Sequence, residues 1–282
     1  MNFNDFVMNN EMPIRLGFFF GIFAVMALWE IIAPRRRLQT SKSVRWANNI
    51  GLVFFNTLVL RLIFPAAAAG MALFASAQGW GLFNYIEAPF WAAVLISVVV
   101  LDFFIWLQHV MVHAVPVLWR LHRVHHADLD FDVTTGARFH TLEILLSMLI
   151  KFAVILLLGP PVLAVVIFEV VLNATSMFNH SNARLPAGVD RLLRLIVVTP
   201  DMHRVHHSVE DDETNSNFGF NLPWWDRLFG TYRAQPRGGH EAMTIGIRTF
   251  REDKWCSLLP GMLAIPFAGK VTDYAINRRE WE

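Results

Sequence analysis

The chain has one cysteine, Cys256, in 282 residues. A single thiol excludes an intrachain disulfide framework, a thiolate metal cluster and a four-cysteine iron–sulfur centre. Charge is also scarce. Only 17% of residues are charged, and no Lys or Arg occurs between Arg61 and Arg120, a gap unlike a soluble domain. Net charge is +1 and no basic tract lies outside residues 35–45, so nothing reads as a nucleic-acid surface. There is no Gly-x-Gly-x-x-Gly fingerprint, and hence no dinucleotide site of that kind. Internal solenoid repeats and low-complexity segments are missing too.

Apolar length is what the sequence has in abundance. Hydrophobic residues make up 55% of the chain and mean hydropathy is +0.41. Residues 16–29, 50–73 and 89–107 each read as a membrane-embedded helix. Residues 142–178 suffice for two more, turning at Gly159-Pro160-Pro161, although each arm is short enough that a re-entrant hairpin also fits. The N-terminus lacks the basic region and cleavage site of a secretory signal, so 16–29 is expected to be a retained anchor. Arg61, Asp102, Lys151 and Glu169 interrupt the apolar runs and are expected to face protein or water. Arg35, Arg36, Arg37, Lys42 and Arg45 lie between the first two spans with no acid among them, whereas 74–88 has no basic residue. The positive-inside rule then puts the 35–45 loop in the cytoplasm, beside anionic headgroups. The same topology puts every histidine on that side. The expected fold is an all-α, multi-pass membrane bundle of four to five helices, or three spans plus a re-entrant hairpin, under a cytosolic histidine-rich helical cap. Its parts are N-terminal anchor helices (1–93), the histidine-bearing region (94–232) and a tail on the cap or membrane surface (233–282).

Ten of the eleven histidines fall between His109 and His207. They form His109-Val-Met-Val-His113, His122-Arg-Val-His125-His126 and His203-Arg-Val-His206-His207, with His140 and His180 between. On a helix, residues three or four apart share a face. Each cluster can therefore aim at least two imidazoles at one volume. Thr199 and Pro200 suit the cap and first position of a helix carrying the last cluster. Nine or ten converging imidazoles exceed the needs of one zinc ion and suit two metal ions. Iron with open positions is favoured if the substrate is an unactivated alkyl chain, because zinc supplies no redox chemistry. His180 ends the hairpin on the histidine side and joins the set. For His140, a salt-bridged turn with Arg138 and Glu143 competes evenly with metal contact. His240 reads as an ordinary surface residue.

These motifs resemble the histidine boxes of the fatty acid hydroxylase/sterol desaturase superfamily of membrane di-iron enzymes. The resemblance covers roughly residues 94–232. Its landmarks include Asp102 and Trp106 before the first box and Trp119-Arg120-Leu121 leading into the second. Others are Arg138-Phe139-His140-x-x-Glu143, Asn179-His180, Asn215-x-Asn217-Phe218-Gly219 and Trp225-Asp226-x-Leu228-Phe229-Gly230-Thr231. It implies two irons held by His109, His113, His122, His125, His126, His180, His203, His206 and His207, with His140 or a water in a tenth place. Some relatives carry a further histidine where Ser176 stands. It also implies O2 as cosubstrate, a membrane lipid as substrate, and electrons from NAD(P)H through a separate ferredoxin or cytochrome b5-like protein and its reductase. Hydroxylation is preferred over desaturation as the simpler outcome.

Asp102, Glu143, Asn179 and Asp201 are candidates to orient the rings. Phe103, Phe104, Trp106, Phe139 and Phe178 are candidates to line an acyl or sterol path, although ordinary packing explains each equally well. Trp224 and Trp225 read as interfacial anchors. Arg120, Arg123, Arg191, Arg194 and Arg204 would suit an acidic electron donor, or equally lipid phosphates or pairs with Asp201, Glu210, Asp211 and Asp212. Three other classes compete. A bis-histidine electron carrier needs paired histidines within the spans, a metal transporter needs ligands at mid-membrane, and a zinc-dependent hydrolase needs a different metal.

Overall fold

The computed structural model describes residues 3–270 and Ile276, so most of the tail beyond 270 lies outside the described residues. A short helix α1 (Phe3–Asn9) leads into α2 (Glu11–Ile32). The single span expected over 50–73 is two helices, α3 (Lys42–Ile63) and α4 (Ala67–Gln78). Pro65 causes the break: it has no N–H for the ladder and drives Phe64 out of helical geometry. Phe64 accordingly has ψ 69°. A one-turn helix α5 (Leu82–Tyr85) precedes α6 (Phe90–Ala114), the longest helix, and α7 (Pro116–His126) follows it. Next come α8 (Thr141–Leu158) and α9 (Val162–Asn179). Gly159 makes their turn in the left-handed conformation (φ 60°) that glycine tolerates best, and Pro161 caps the return.

Five segments are long and apolar enough to cross a membrane: Glu11–Ile32, Lys42–Tyr85, Phe90–Ala114, Thr141–Leu158 and Val162–Asn179. This is a multi-pass, all-helical membrane protein; among the described residues there are no strands, only two isolated bridges. Long-range contacts fix the directions. Asn56 bonds to Phe139 and Thr141 at the start of α8, Phe64 meets Phe152 edge to face, and Gly81 abuts Gly159 at the end of α8. Thus α3–α4 run beside α8, away from the histidines, while α2, α6 and α9 run toward them.

The intramembrane charges mostly face protein, as expected. Arg15 and Lys151 both reach Glu169, at 2.7 and 2.8 Å, which ties α2 and α8 to α9. Arg61 departs from this. It is exposed on α3, two residues before the helix ends, where unpaired carbonyls favour a cation.

The basic loop also departs from expectation. Arg45 is fully buried and pairs with Asp128 at 2.8 Å and Asp132 at 2.5 Å; Arg35 pairs with Asp201, and Arg36 donates to the carbonyl of His240. These side chains bind the cap rather than headgroups. Burial alone would raise the Asp128 carboxyl, but the Arg45 guanidinium outweighs it and holds it at about 2.

Candidate metal centre

The histidines lie where α6 and α9 end, against two short cap helices. The first is α7, with Pro116 at its first turn. The second is α11 (Pro200–His206), which follows α9 after one short helix, α10 (Ala187–Leu193); at its start the Thr199 hydroxyl accepts from the Met202 N–H, the cap the sequence suggests. All nine box histidines, including His180, are buried.

They form two adjoining groups, His109, His113, His122, His126 and His206 in one, and His125, His180, His203 and His207 in the other. Within each group the ligand atoms lie within 4.8 Å of one another. The two His-x-x-His-His boxes divide in opposite senses. In α7 the outer pair, His122 and His126, serves the first group and His125 the second. In the last box the outer pair, His203 and His207, serves the second group and His206 the first. The groups touch where His126 stacks on His207, with centroids 4.6 Å apart.

Hydrogen bonds fix the tautomers of five rings. His109 Nδ1–H donates to the Phe218 carbonyl at 2.8 Å and His122 Nδ1–H to Glu143 Oε1 at 2.6 Å. His113 donates to Asn215 Oδ1, His206 to the Ser216 carbonyl and His180 to the Ser176 carbonyl. A neutral ring that spends its proton on Nδ1 has only a lone pair at Nε2. Yet His109 Nε2 and His122 Nε2 face each other at 3.1 Å. Two lone pairs at that distance repel unless a cation lies between them. In the second group His180 Nε2 lies 3.0 Å from His203 Nε2 and 3.2 Å from His125 Nε2, two rings whose Nδ1 atoms have no hydrogen-bond partner among the described residues. Imidazoles at right angles around an ion at about 2.1 Å would be separated by about 3.0 Å. Nε2 of His113 and His206 and both ring nitrogens of His126 and His207 are buried without a hydrogen-bond partner among the described residues. This donor set fits metal ions.

Burial, reinforced by neighbouring imidazoles, holds His125, His126, His203, His206 and His207 well below the usual histidine range. Burial likewise brings His180 down to about 3. These six rings are therefore neutral at physiological pH, the form that ligates metal.

Of the four candidate orienting residues, Glu143 alone is hydrogen-bonded to a ring of the two groups. Asp102 accepts from Trp225, Asn179 donates to the Phe220 carbonyl, and Asp201 pairs with Arg35 and Arg204. Asn215 takes that role instead, a residue that sequence reasoning missed although it stands in the quoted Asn-x-Asn-Phe-Gly motif; the remaining acceptors are backbone carbonyls. His140 lies outside both groups: its Nδ1 accepts from the Leu142 N–H and caps α8. The Ser176 hydroxyl donates to the Gly136 carbonyl. His240, expected at the surface, is buried 3.6 Å from Asp201.

Among the proposed lining aromatics, Phe139 stacks flat on His125 at 4.3 Å. Phe220, which no sequence motif singles out, lies 5.6–5.9 Å from His109, His180 and His203. Phe103 and Trp106 pack on Trp225 and Phe229, Phe104 belongs to the α6–α8–α9 core, and Phe178 packs near Met26 and Val133. The suggested donor surface is not built as expected either. Arg123, Arg194 and Arg204 are buried, Arg123 on the carbonyls of Ile265 and Ala268 and Arg204 on Asp201, while Arg120 bonds the carbonyls of Pro266 and Gly269.

A sequence model of the fatty acid hydroxylase family matches residues 93–231. The chain belongs to the fatty acid hydroxylase/sterol desaturase superfamily. It is 28% identical to an ornithine lipid hydroxylase, OlsE, of Rhizobium tropici over 220 residues, 76% of this chain and 65% of that protein. To an alkylglycerol monooxygenase of Homo sapiens it is 30% identical over 180 residues, 63% of this chain and 38% of that protein. To a cholesterol 25-hydroxylase of Rattus norvegicus it is 27% identical over 144 residues, 51% of this chain and 47% of that one. The chain thus spans less than two thirds of each of these relatives. No solved structure gives a match.

Proposed function

We propose that the chain is an O2-dependent lipid hydroxylase, a monooxygenase that uses two histidine-held irons and electrons from a separate redox protein. The observation that carries this reading is the pair of adjoining buried imidazole groups, with ligand atoms within 4.8 Å of one another in each, at one end of an apolar bundle. Similarity to proteins named for hydroxylating or monooxygenating lipids supports it. Bound there, two irons would supply reductive activation of O2, which zinc does not.

His109, His113, His122, His126 and His206 would hold one ion, and His125, His180, His203 and His207 the other. Glu143, Asn215 and the carbonyls of Phe218, Ser216 and Ser176 would keep Nδ1 protonated and Nε2 free. Phe139 and Phe220 would give an alkyl chain an apolar wall and exclude water. The balance is lipid C–H plus O2, two electrons and two protons to lipid C–OH plus water. Residues 94–232 would be the catalytic part, with 1–93 as anchor and 233–270 as a segment lying on the cap or the membrane surface. The histidine end would face the cytoplasm, because the basic 35–45 loop shares that end while basic-free 74–88 lies at the other.

The test incubates membranes with NAD(P)H, a ferredoxin or cytochrome b5-type donor with its reductase, ¹⁸O2 and a lipid extract. One ¹⁸O atom gained by a lipid is expected. Loss of two hydrogens without label would make the chain a desaturase instead, and lipids unchanged by donor would overturn the oxygenase reading.

A further inference from the structure

An apolar face of the cap is left over once the metal centre is accounted for. Leu192, Leu195 and Ile196, on and just after α10, join Trp224, Leu228 and Phe229; all six are 46–69% exposed. The last three lie on or just after a short helix, residues 224–228. Two hydrogen bonds make this one surface, Trp224 Nε1 to the Leu195 carbonyl at 2.7 Å and Arg227 to the Arg194 carbonyl at 3.2 Å. An apolar face of this kind marks a contact with protein or membrane.

Depth distinguishes the two. Trp225 Nε1 donates to Asp102 at 2.8 Å. Asp102 is midway along α6, about 10 Å below His109 toward the middle of the bundle. Phe229 stacks on Trp106 at 4.7 Å, and Phe103 meets Trp225 at 5.1 Å. On the other side, the Thr175 hydroxyl bonds Asn221 and the Asn179 amide donates to the Phe220 carbonyl, both from α9. Residues 220–229 are therefore lodged against two membrane-crossing helices. Irregular backbone at that depth requires protein partners for its N–H groups. Asp226 provides them, accepting from the N–H groups of Phe218 and Gly219, and it also accepts from Trp106 Nε1.

We propose that residues 187–196 and 220–229 form a rim inserted into the leaflet on the histidine side, with lipid acyl chains as its partner. The face meets α6 through Phe229 on Trp106 and Trp225 on Phe103, and exposed Arg191 and Arg227 lie within the same two segments, where phosphate headgroups would be reached. Phe220 joins this rim to the histidines, so a lipid against the rim is one side chain from the candidate metal seats. The inference depends on the fold and not on iron or oxygenase activity.

The test places a nitroxide on Leu192→Cys, Leu195→Cys and Leu228→Cys in phosphatidylcholine–phosphatidylglycerol proteoliposomes, with Glu210→Cys on the polar side of the cap as reference. Cys256 is buried and its thiol is pushed up to about 11 by burial, so it stays unlabelled; a Cys256→Ser background checks this. The three rim labels should collide with O2 more than with an aqueous nickel chelate, and Glu210→Cys should show the reverse. Bimane on the same cysteines, quenched by mid-chain brominated lipid at the rim and not at 210, is the second readout. An unchanged elution profile in detergent establishes that each variant folds. Nickel accessibility at 192, 195 and 228 equal to that at 210, without bromine quenching, would overturn the proposal.

Discussion

The two histidine groups are built by different means. Four of the five rings in the first group donate Nδ1–H to a fixed acceptor: Phe218 O, Asn215 Oδ1, Glu143 Oε1 and Ser216 O. In the second group only His180 is held this way, by Ser176 O. Aromatic faces do the rest there, Phe139 stacked on His125 and Phe131 against His180 and His207. Hydrogen bonds fix both the tautomer and the direction of a lone pair, whereas a stacked ring fixes only the plane of its neighbour. The first seat is therefore the more rigid. On the proposed two-iron reading, the second, with four histidines against five, is the one expected to lose its ion first and to leave room for an incoming molecule.

The largest expected effect comes from removing a ligand. His206→Ala and His203→Ala should each lower lipid oxidation by more than about 100-fold, beyond the 10–100-fold typical of groups that merely orient ligands. They should also differ: partial chelation of the parent should resemble His203→Ala, and metal analysis during a chelator titration checks this. Equal loss from both groups would erase the contrast.

Stability should respond most to Arg45→Met, which strands Asp128 and Asp132 in the buried loop between the second box and α8. A cost of about 3–5 kcal/mol is expected from thermal unfolding in detergent. The same pair gives a pH signature. Asp128 is held at about 2, against an ordinary aspartate value of 3.8. Its folded value is depressed, so its stabilisation is complete above about pH 4 and is lost as pH falls toward 2, about 2 kcal/mol in all. Unfolding midpoints that stay flat from pH 4 to 2 would contradict this.

Orienting groups come next. Glu143→Gln and Asn215→Ala act on the first group and should reduce activity about 10–100-fold. Phe139→Leu acts on the second and should do less, mainly raising KM for the lipid. A larger kcat loss from Phe139→Leu than from Glu143→Gln would reverse the assigned order of rigidity. Smallest of all, His140→Ala should leave activity nearly intact and cost about 1 kcal/mol through the lost cap.

The sequence makes some of this architecture readable and hides the rest for physical reasons. Membrane helices announce themselves because lipid demands continuous apolar length, and 89–107 and the 142–178 hairpin stand close to where helices form. The break at Pro65 is visible in principle, but hydropathy alone averages over it. His-x-x-His-His spacing discloses shared helix faces. That the two boxes divide oppositely between the seats follows from how α7 and α11 are oriented, which spacing does not encode. Three of the five acceptors that fix the rings are backbone carbonyls, which have no signature in residue type. Arg45 looks like a headgroup contact because its partners lie more than 80 residues away. His240 looks like a surface residue because nothing in its neighbours announces Asp201.

The central claim is that nine imidazoles form two adjoining seats for iron. The most direct measurement is the metal content of protein purified anaerobically, together with its His206→Ala and His203→Ala variants, by mass spectrometry of the metals. Two irons per chain in the parent, with fewer retained by each variant, is the predicted result. One metal per chain, or stoichiometric zinc with activity surviving thorough removal of iron, would contradict it.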